Sequence, residues 1–194
     1  MNVQVKSCSG ISVMSADTYW LAERKLFVEG EITHEKACEV IKSIMYLNKE
    51  NLSKPIYIYI NSEGGNINAG MLVYDAIQLS KAPVITICMG RAYSMGALLF
   101  ASGRCRYMFP NSELMLHQPL LGNPVKGNAS SIKSVSDFLL STKEKMNNIL
   151  AKHTGKTLEE IDAAINYDHY FSPEESIDFG LCDKVIDFNV LMGV

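Results

Sequence analysis

Ser94 follows the apolar, β-rich run Val84-Ile-Thr-Ile-Cys-Met89 and the short stretch Gly90-Arg-Ala-Tyr93, and it precedes Met95-Gly-Ala-Leu-Leu-Phe-Ala101, which reads as a buried helix. A strand that turns sharply into a helix with serine at the corner is the mechanical idea of a nucleophile elbow. The corner exposes the hydroxyl, and the first unpaired N–H groups of the helix lie beside it. Ala92 and Gly96 are small enough to leave room for the turn. A serine hydroxyl attacks only when a neighbouring base removes its proton, and the chain has four histidines. His34 and His153 fall near helix ends, where a solvated surface role is the ordinary one. His117 ends the apolar stretch Leu114-Met-Leu116 shortly before Pro119, where a side chain leaves a sheet at a loop, and such places favour function. His169 adjoins Asp168 and stays open as a second candidate. The base needs a carboxylate to hold its tautomer and stabilise the imidazolium; Asp168, in a loop between two capped helices, is best placed. Negative charge developing on substrate needs converging backbone N–H donors. Gly64-Gly65, between a buried strand and a helix, can leave its amides bare, and the Met95 N–H follows the nucleophile directly.

Metal and nucleotide chemistry find no support in the spacing. There is no H-E-x-x-H, paired-cysteine or EF-hand pattern, the Gly-Gly stretch lacks the lysine and serine of a P-loop, and G-x-G-x-x-G is absent. The expected chemistry therefore uses no metal and no cofactor.

The elements that must hold these residues follow from pattern. Lys25–Gly30 predicts a short strand. Thr33 predicts the cap of a helix whose buried face takes Ala37, Val40, Ile41, Ile44, Met45 and Leu47. Pro55–Asn61 is β-branched and aromatic throughout, as in a strand covered on both faces, and Ser62–Gly65 reads as a turn. Ile67–Lys81 predicts a second helix, with Leu79 among its apolar positions, and Pro83 ends it. Val84–Met89 is the next strand; Cys105–Phe109 and Glu113–Gln118 are two more, around Pro110-Asn-Ser112. Residues 120–128 carry turn chemistry. A long helix over 129–155 has Ile132, Val135, Leu139, Met146, Ile149 and Leu150 on one face and Gly155 as its stop. Thr157-Leu-Glu-Glu160 and Ser172-Pro-Glu-Glu175 are capping boxes, and Cys182–Asp187 is a final strand. Residues 1–20 yield no assignment. Strand ends at Gly30, Asn61 and Gly90 recur about thirty residues apart, near the length of one β–α–β unit, so the fold class is α/β with largely parallel strands.

The bulk numbers narrow the function classes. A chain of 194 residues, 47% hydrophobic and 20% charged, suits one soluble domain. A net charge of −3 argues against nucleic acid and anionic membranes as partners. Cys8, Cys38, Cys88, Cys105 and Cys182 contain no C-x-x-C pair, which points to free thiols in a reducing compartment. The N-terminus does not read as a secretory signal. No stretch approaches the ~18 apolar residues of a membrane span. A cytoplasmic location is expected.

These residues together resemble the proteolytic subunit of the Clp protease (ClpP). The resemblance rests on Tyr57-Ile-Tyr-Ile-Asn-Ser-Glu-Gly-Gly65, Ala69-Gly-Met71, Ile87-Cys-Met-Gly90, Ser94-Met-Gly-Ala97, Pro110-Asn-Ser112, His117-Gln-Pro119, Leu150–Gly155 and Phe171-Ser through Gly180-Leu181, in order over nearly the whole chain. It implies Ser94 as nucleophile, His117 as general base, Asp168 as its orienter, and Gly65 and Met95 as oxyanion donors. It also implies a ClpP/crotonase-like spiral of β–β–α units with a protruding handle, about 120–155. An N-terminal axial segment over 1–20 would precede a single peptidase domain over 21–194. The implied assembly is two heptameric rings, homo- or hetero-oligomeric, served by an AAA+ Clp ATPase that docks near Tyr57 and Tyr59 and delivers unfolded polypeptide. The chain departs from the family pattern at Glu63, Tyr93, Leu121, Pro124 and Asn166-Tyr167, which suggests a divergent second paralogue. The alternatives are a catalytically weak structural or regulatory ring subunit acting with a paralogue, and a crotonase-type acyl-CoA enzyme of the same spiral fold.

Overall fold

The computed structural model describes residues 1–7, 10–122 and 124–187; Cys8 and the end of the expected domain, 188–194, lie outside them. β1 (Asn2–Ser7) and β2 (Gly10–Ser15) pair antiparallel. Ser15 then caps α1 (Ala16–Ala22) by accepting from the Thr18 N–H. The first four residues of β2 are exposed, so nothing forces the apolar alternation by which a half-buried strand is recognised.

The main sheet carries β3 (Lys25–Ile32), β4 (Ile56–Gly65), β5 (Val84–Tyr93), β6 (Cys105–Met108), β7 (Glu113–Leu116), β8 (His169–Phe171) and β9 (Lys184–Val185). Its order is β3-β4-β5-β6-β9, with β7 on β5 and β8 on β7. Every pairing among these is parallel except β7–β8. α2 (His34–Glu50) and α3 (Ile67–Leu79) are the crossovers between the first three strands, as the strand–helix alternation requires. α4 (Met95–Ala101) is buried at every position. α5 (Ala129–Thr154), α6 (Leu158–Ala164) and α7 (Pro173–Phe179) follow, with both capping boxes formed and Gly155 left-handed at the end of α5.

β5 divides between two partners. Ile85–Cys88 pairs with β6 and Arg91–Tyr93 with β7. Gly90 is the joint: it has φ 92°, and the Ser112 hydroxyl bridges the break, donating to Cys88 O at 2.9 Å and accepting from Gly90 N at 3.1 Å. Ser62–Gly65, expected as a turn, and Gly90–Tyr93, beyond the expected end of the strand, are therefore irregular continuations of strands. Ser62 pairs with Ala92 and Gly64 with Glu31 across register shifts; glycine at positive φ produced a bulge here instead of a reversal.

Two helix faces also differ from expectation. On α2 the buried residues are Ala37, Val40, Ile44 and Leu47, while Met45 is 66% exposed. On α5 only the base is buried, at Met146, Asn147 and Leu150, and Ile132 near its start is exposed.

Arg24 ties the frame together. It is 8% exposed, has φ 60°, and its guanidinium donates to the carbonyls of Leu47, Asn51, Lys54 and Pro55, each at 3.0 Å. It thereby closes the C-terminus of α2 and the loop into β4. Arg24→Met should lower stability by about 2–3 kcal/mol, since charged hydrogen bonds of this kind are lost together. A fall in the urea midpoint would show it, with the chemistry of Ser94 unchanged.

His153, expected on the surface, is half-buried and sits 3.1 Å from the Tyr74 hydroxyl. Burial, helped by Lys152 and Arg106, holds its pKa down at about 4, below the ordinary 6.5. The unfolded chain then binds the proton more readily, so stability is complete above about pH 6.5 and declines as pH falls toward 4. His153→Gln should flatten that slope of melting temperature against pH.

Candidate active site

Ser94 stands between β5 and α4 with φ 54° and ψ −118°, and its side chain makes no capping bond to the helix. Arg24 and Ser94 are the described non-glycine residues at positive φ, a conformation that persists only where the surroundings impose it. Here the constraint comes from β7 and α4: Ser94 N–H donates to Met115 O at 2.8 Å, and Ser94 O accepts from Leu98 N–H at 3.1 Å. The hydroxyl is left free, and Ser94 Oγ lies 2.7 Å from His117 Nε2.

β7 thus receives the Ser94 amide at Met115 and presents His117 two residues further on. β8 supplies the third group. Its antiparallel register sets Leu116 opposite His169, and one more step along both strands sets His117 opposite Asp168. His117 Nδ1 is 3.4 Å from Asp168 Oδ1, with the imidazole 16% and the carboxylate 59% exposed. Gln118 extends the clasp, donating from its backbone N–H to Ile165 O at 2.9 Å and from its side-chain amide to Asn166 O at 3.3 Å. The other histidines are elsewhere. His169 stacks on Phe171 at 4.1 Å, and His34 lies 3.6 Å from Cys38 Sγ on α2.

Gly64 packs directly against the corner. A Cβ there would come within 2.8 Å of Tyr93 O, 2.9 Å of Ser94 Cβ and 3.2 Å of Met95 N. Its own N–H donates to Ser62 Oγ, which donates to Gly30 O at 2.6 Å. Ser62, fully buried, is a positioning residue that the sequence pattern did not single out; its place two residues before the glycine pair is the signal that could have marked it. Gly65 is exposed. Asn66 N–H goes to Ile32 O on the β3 side. Met95 is the first helical residue, whose N–H has no intrahelical acceptor. Its side chain fills the space left by Gly70 of α3, where a Cβ would fall 2.3 Å from Met95 Cγ.

The buried thiols offer no competing nucleophile. Burial pushes Cys88 up to about 12 and Cys182 up to about 11, far from a thiolate at neutral pH. Among the described residues, no three His, Cys, Asp or Glu side chains gather as a metal site. A cavity of about 410 Å³ between α1, β3 and α2 involves neither Ser94 nor His117.

The sequence profile of the Clp protease family matches residues 10–189. The chain belongs to this family. The mixed α/β architecture with its mostly parallel sheet is that of the ClpP fold, and α5 is buried only near its C-terminal end. Clp proteases are peptidases that form oligomeric rings, work with Clp ATPases and act on polypeptides. Of the two tyrosines expected at the ATPase-docking surface of this Clp protease, Tyr57 is half-exposed, whereas Tyr59 is buried and stacks on Phe27 at 5.1 Å. Trp20 meets the same Phe27 edge-on at 6.3 Å. Among the described residues no helix is long and apolar enough to cross a membrane.

Proposed function

We propose that this Clp protease is a serine endopeptidase that cuts unfolded polypeptide inside a chamber of two heptameric rings, fed by an AAA+ ATPase in the cytoplasm. The observation that carries the reading is the 2.7 Å approach of Ser94 Oγ to His117 Nε2 at a strand-to-helix corner. With the Nδ1 proton directed to Asp168, Nε2 is the free acceptor. It takes the hydroxyl proton as Oγ attacks the peptide carbonyl carbon, and the carbonyl electron pair moves onto oxygen. The Gly65 and Met95 N–H groups would stabilise that oxyanion. Collapse of the intermediate breaks the C–N bond, and His117 passes its proton to the leaving amine. Water, deprotonated by His117, then cleaves the acyl-enzyme and restores Ser94.

The test is a fluorophosphonate probe on the assembled protein, alone and mixed with a second Clp peptidase. Modification of Ser94 with peptide hydrolysis is expected. An assembled ring that neither reacts nor cleaves would overturn the reading. One observation favours a subunit that depends on its assembly: Asp168 is more than half exposed and 3.4 Å from His117. In that case activity rises on mixing and the gain is lost with Ser94→Ala, whereas a mixed activity that survives Ser94→Ala would mark a catalytically weak ring subunit acting with a paralogue.

The same exposure sets the size of a further prediction. Asp168→Asn should lower kcat by about 10–100-fold, less than for a buried orienter, because water already screens the carboxylate. Steady-state kinetics on a short peptide would measure it, with KM little changed.

A further inference from the structure

We propose that Tyr93 is a positioning residue for the Ser94 site, holding β7 and β8 in the register that sets Asp168 against His117; this rests on the serine-peptidase reading. The pairing of β5, β7 and β8 lays residues out in rows on one face of the sheet. Arg91 faces Glu113, and Tyr93 faces Met115, which faces Tyr170. His117 and Asp168, two residues beyond Met115 and before Tyr170, share that face by the period-two alternation of strands. Tyr93 is thus in the row beside the catalytic one and is covalently joined to Ser94.

Its side chain reaches both neighbouring strands. The phenol O–H donates to a Glu113 carboxylate oxygen at the start of β7. The ring meets Tyr170 of β8 edge-on, with centroids 5.7 Å apart and planes at 89°, a favoured aromatic geometry. The hydrogen bond to Glu113 also pushes the Tyr93 phenol up to about 12, so the donor is retained across the working range of a peptidase. Phe171, buried against Phe179, anchors one end of β8, and Tyr93 braces the residue nearer Asp168. β8 has three residues, its partner is β7, and the carboxylate it places is largely in water. A slip of that short strand moves Asp168 off Nδ1 without touching Ser94 itself. The contacts of Tyr93 are on the strands behind Asp168, which makes its effect indirect and tied to Asp168.

The experiment is a double-mutant cycle on the assembled protein, read by kcat, KM and the rate of Ser94 phosphonylation. Tyr93→Ala should lower kcat and the labelling rate by about 10–30-fold with KM within about twofold, while Tyr93→Phe, which keeps the ring, and Glu113→Gln lose only about threefold. In the Asp168→Asn background, Tyr93→Ala should cost less than about twofold, because the group it positions is already gone. Equal costs in both backgrounds would overturn the proposal. So would a loss confined to KM or to side-chain preference, which would make Tyr93 a wall of the substrate cleft. If Tyr93→Ala fails to fold, the Phe and Gln variants run the same cycle. Hydrogen exchange of the His169–Phe171 amides reads the brace without catalysis. Faster exchange in Tyr93→Phe or Tyr93→Ala, in a protein whose Ser94 never reacts, would sink the serine-peptidase reading and leave the brace standing. Unchanged exchange in a reactive protein would sink the brace alone.

Discussion

Ser94→Ala should leave a folded, ring-forming protein with peptide hydrolysis reduced by about 10⁴–10⁶-fold, the cost of removing a nucleophile from a cooperating triad. The hydroxyl is the atom 2.7 Å from His117 Nε2, so without it His117 has no proton to take and no acyl-enzyme forms. Fluorophosphonate labelling should vanish with it. Stability should respond quite differently. Ser94 sits at φ 54° and ψ −118°, a conformation that strains alanine as it strains serine, so Ser94→Ala should change the melting temperature little. Ser94→Gly should be inactive too, yet more stable than Ser94→Ala by about 1 kcal/mol, because glycine adopts that backbone without penalty. An active Ser94→Ala ring containing no other peptidase subunit would remove serine catalysis from this chain. A glycine variant less stable than the alanine one would instead show that the corner is unstrained.

That corner was legible because its cause is local. An apolar strand, small residues and an apolar helix meet within a short window, and the cap residues Thr33, Thr157 and Ser172 are legible for the same reason: each accepts from the amide three positions away. The triad partners were legible as types at plausible places, but their meeting was not. His117 and Asp168 face each other only because β7 and β8 pair antiparallel in one register, and pairing across so long a separation leaves no periodic mark. For the same reason, the links from Tyr93 to Glu113 and Tyr170 were hidden. The stripe on α5, exposed at Ile132 and only half-covered at Leu139, shows the converse limit. Ile132 and Leu139 have helical spacing, which reports an apolar face but cannot say whether the chain's own core covers it. Ser62–Gly65 was misread as a turn because glycine marks both reversals and bulges, and only the neighbours β3 and β5 decide between them.

Gly64→Ala is the substitution in which those long-range neighbours matter most. The added methyl would enter space bounded by Tyr93 O at 2.8 Å, Ser94 Cβ at 2.9 Å and Met95 N at 3.2 Å. Two of those atoms are backbone, and the third belongs to the nucleophile, so no flexible side-chain end can yield. Gly64 also has φ 94°, which alanine adopts only with strain of about 1–3 kcal/mol. The least costly relief moves the corner away from β4, and that shift carries both Ser94 Oγ and the Met95 N–H. On the proposed serine-peptidase mechanism, displacing Ser94 and the Met95 N–H together should lower kcat by about 10²–10³-fold, with a melting temperature several degrees lower. Asp168→Asn should retain its full melting temperature while losing activity, so the two variants separate displacement of the corner from loss of the orienter. Gly65→Ala offers the internal comparison. Its Cβ would meet Ile32 N and O at 2.7 and 2.6 Å on the β3 side, so its main effect should be on stability, with a smaller loss of kcat. Should Gly64→Ala keep full activity, the corner would be free to move without consequence. The close packing of Gly64 on Ser94 could then not be what aims the nucleophile.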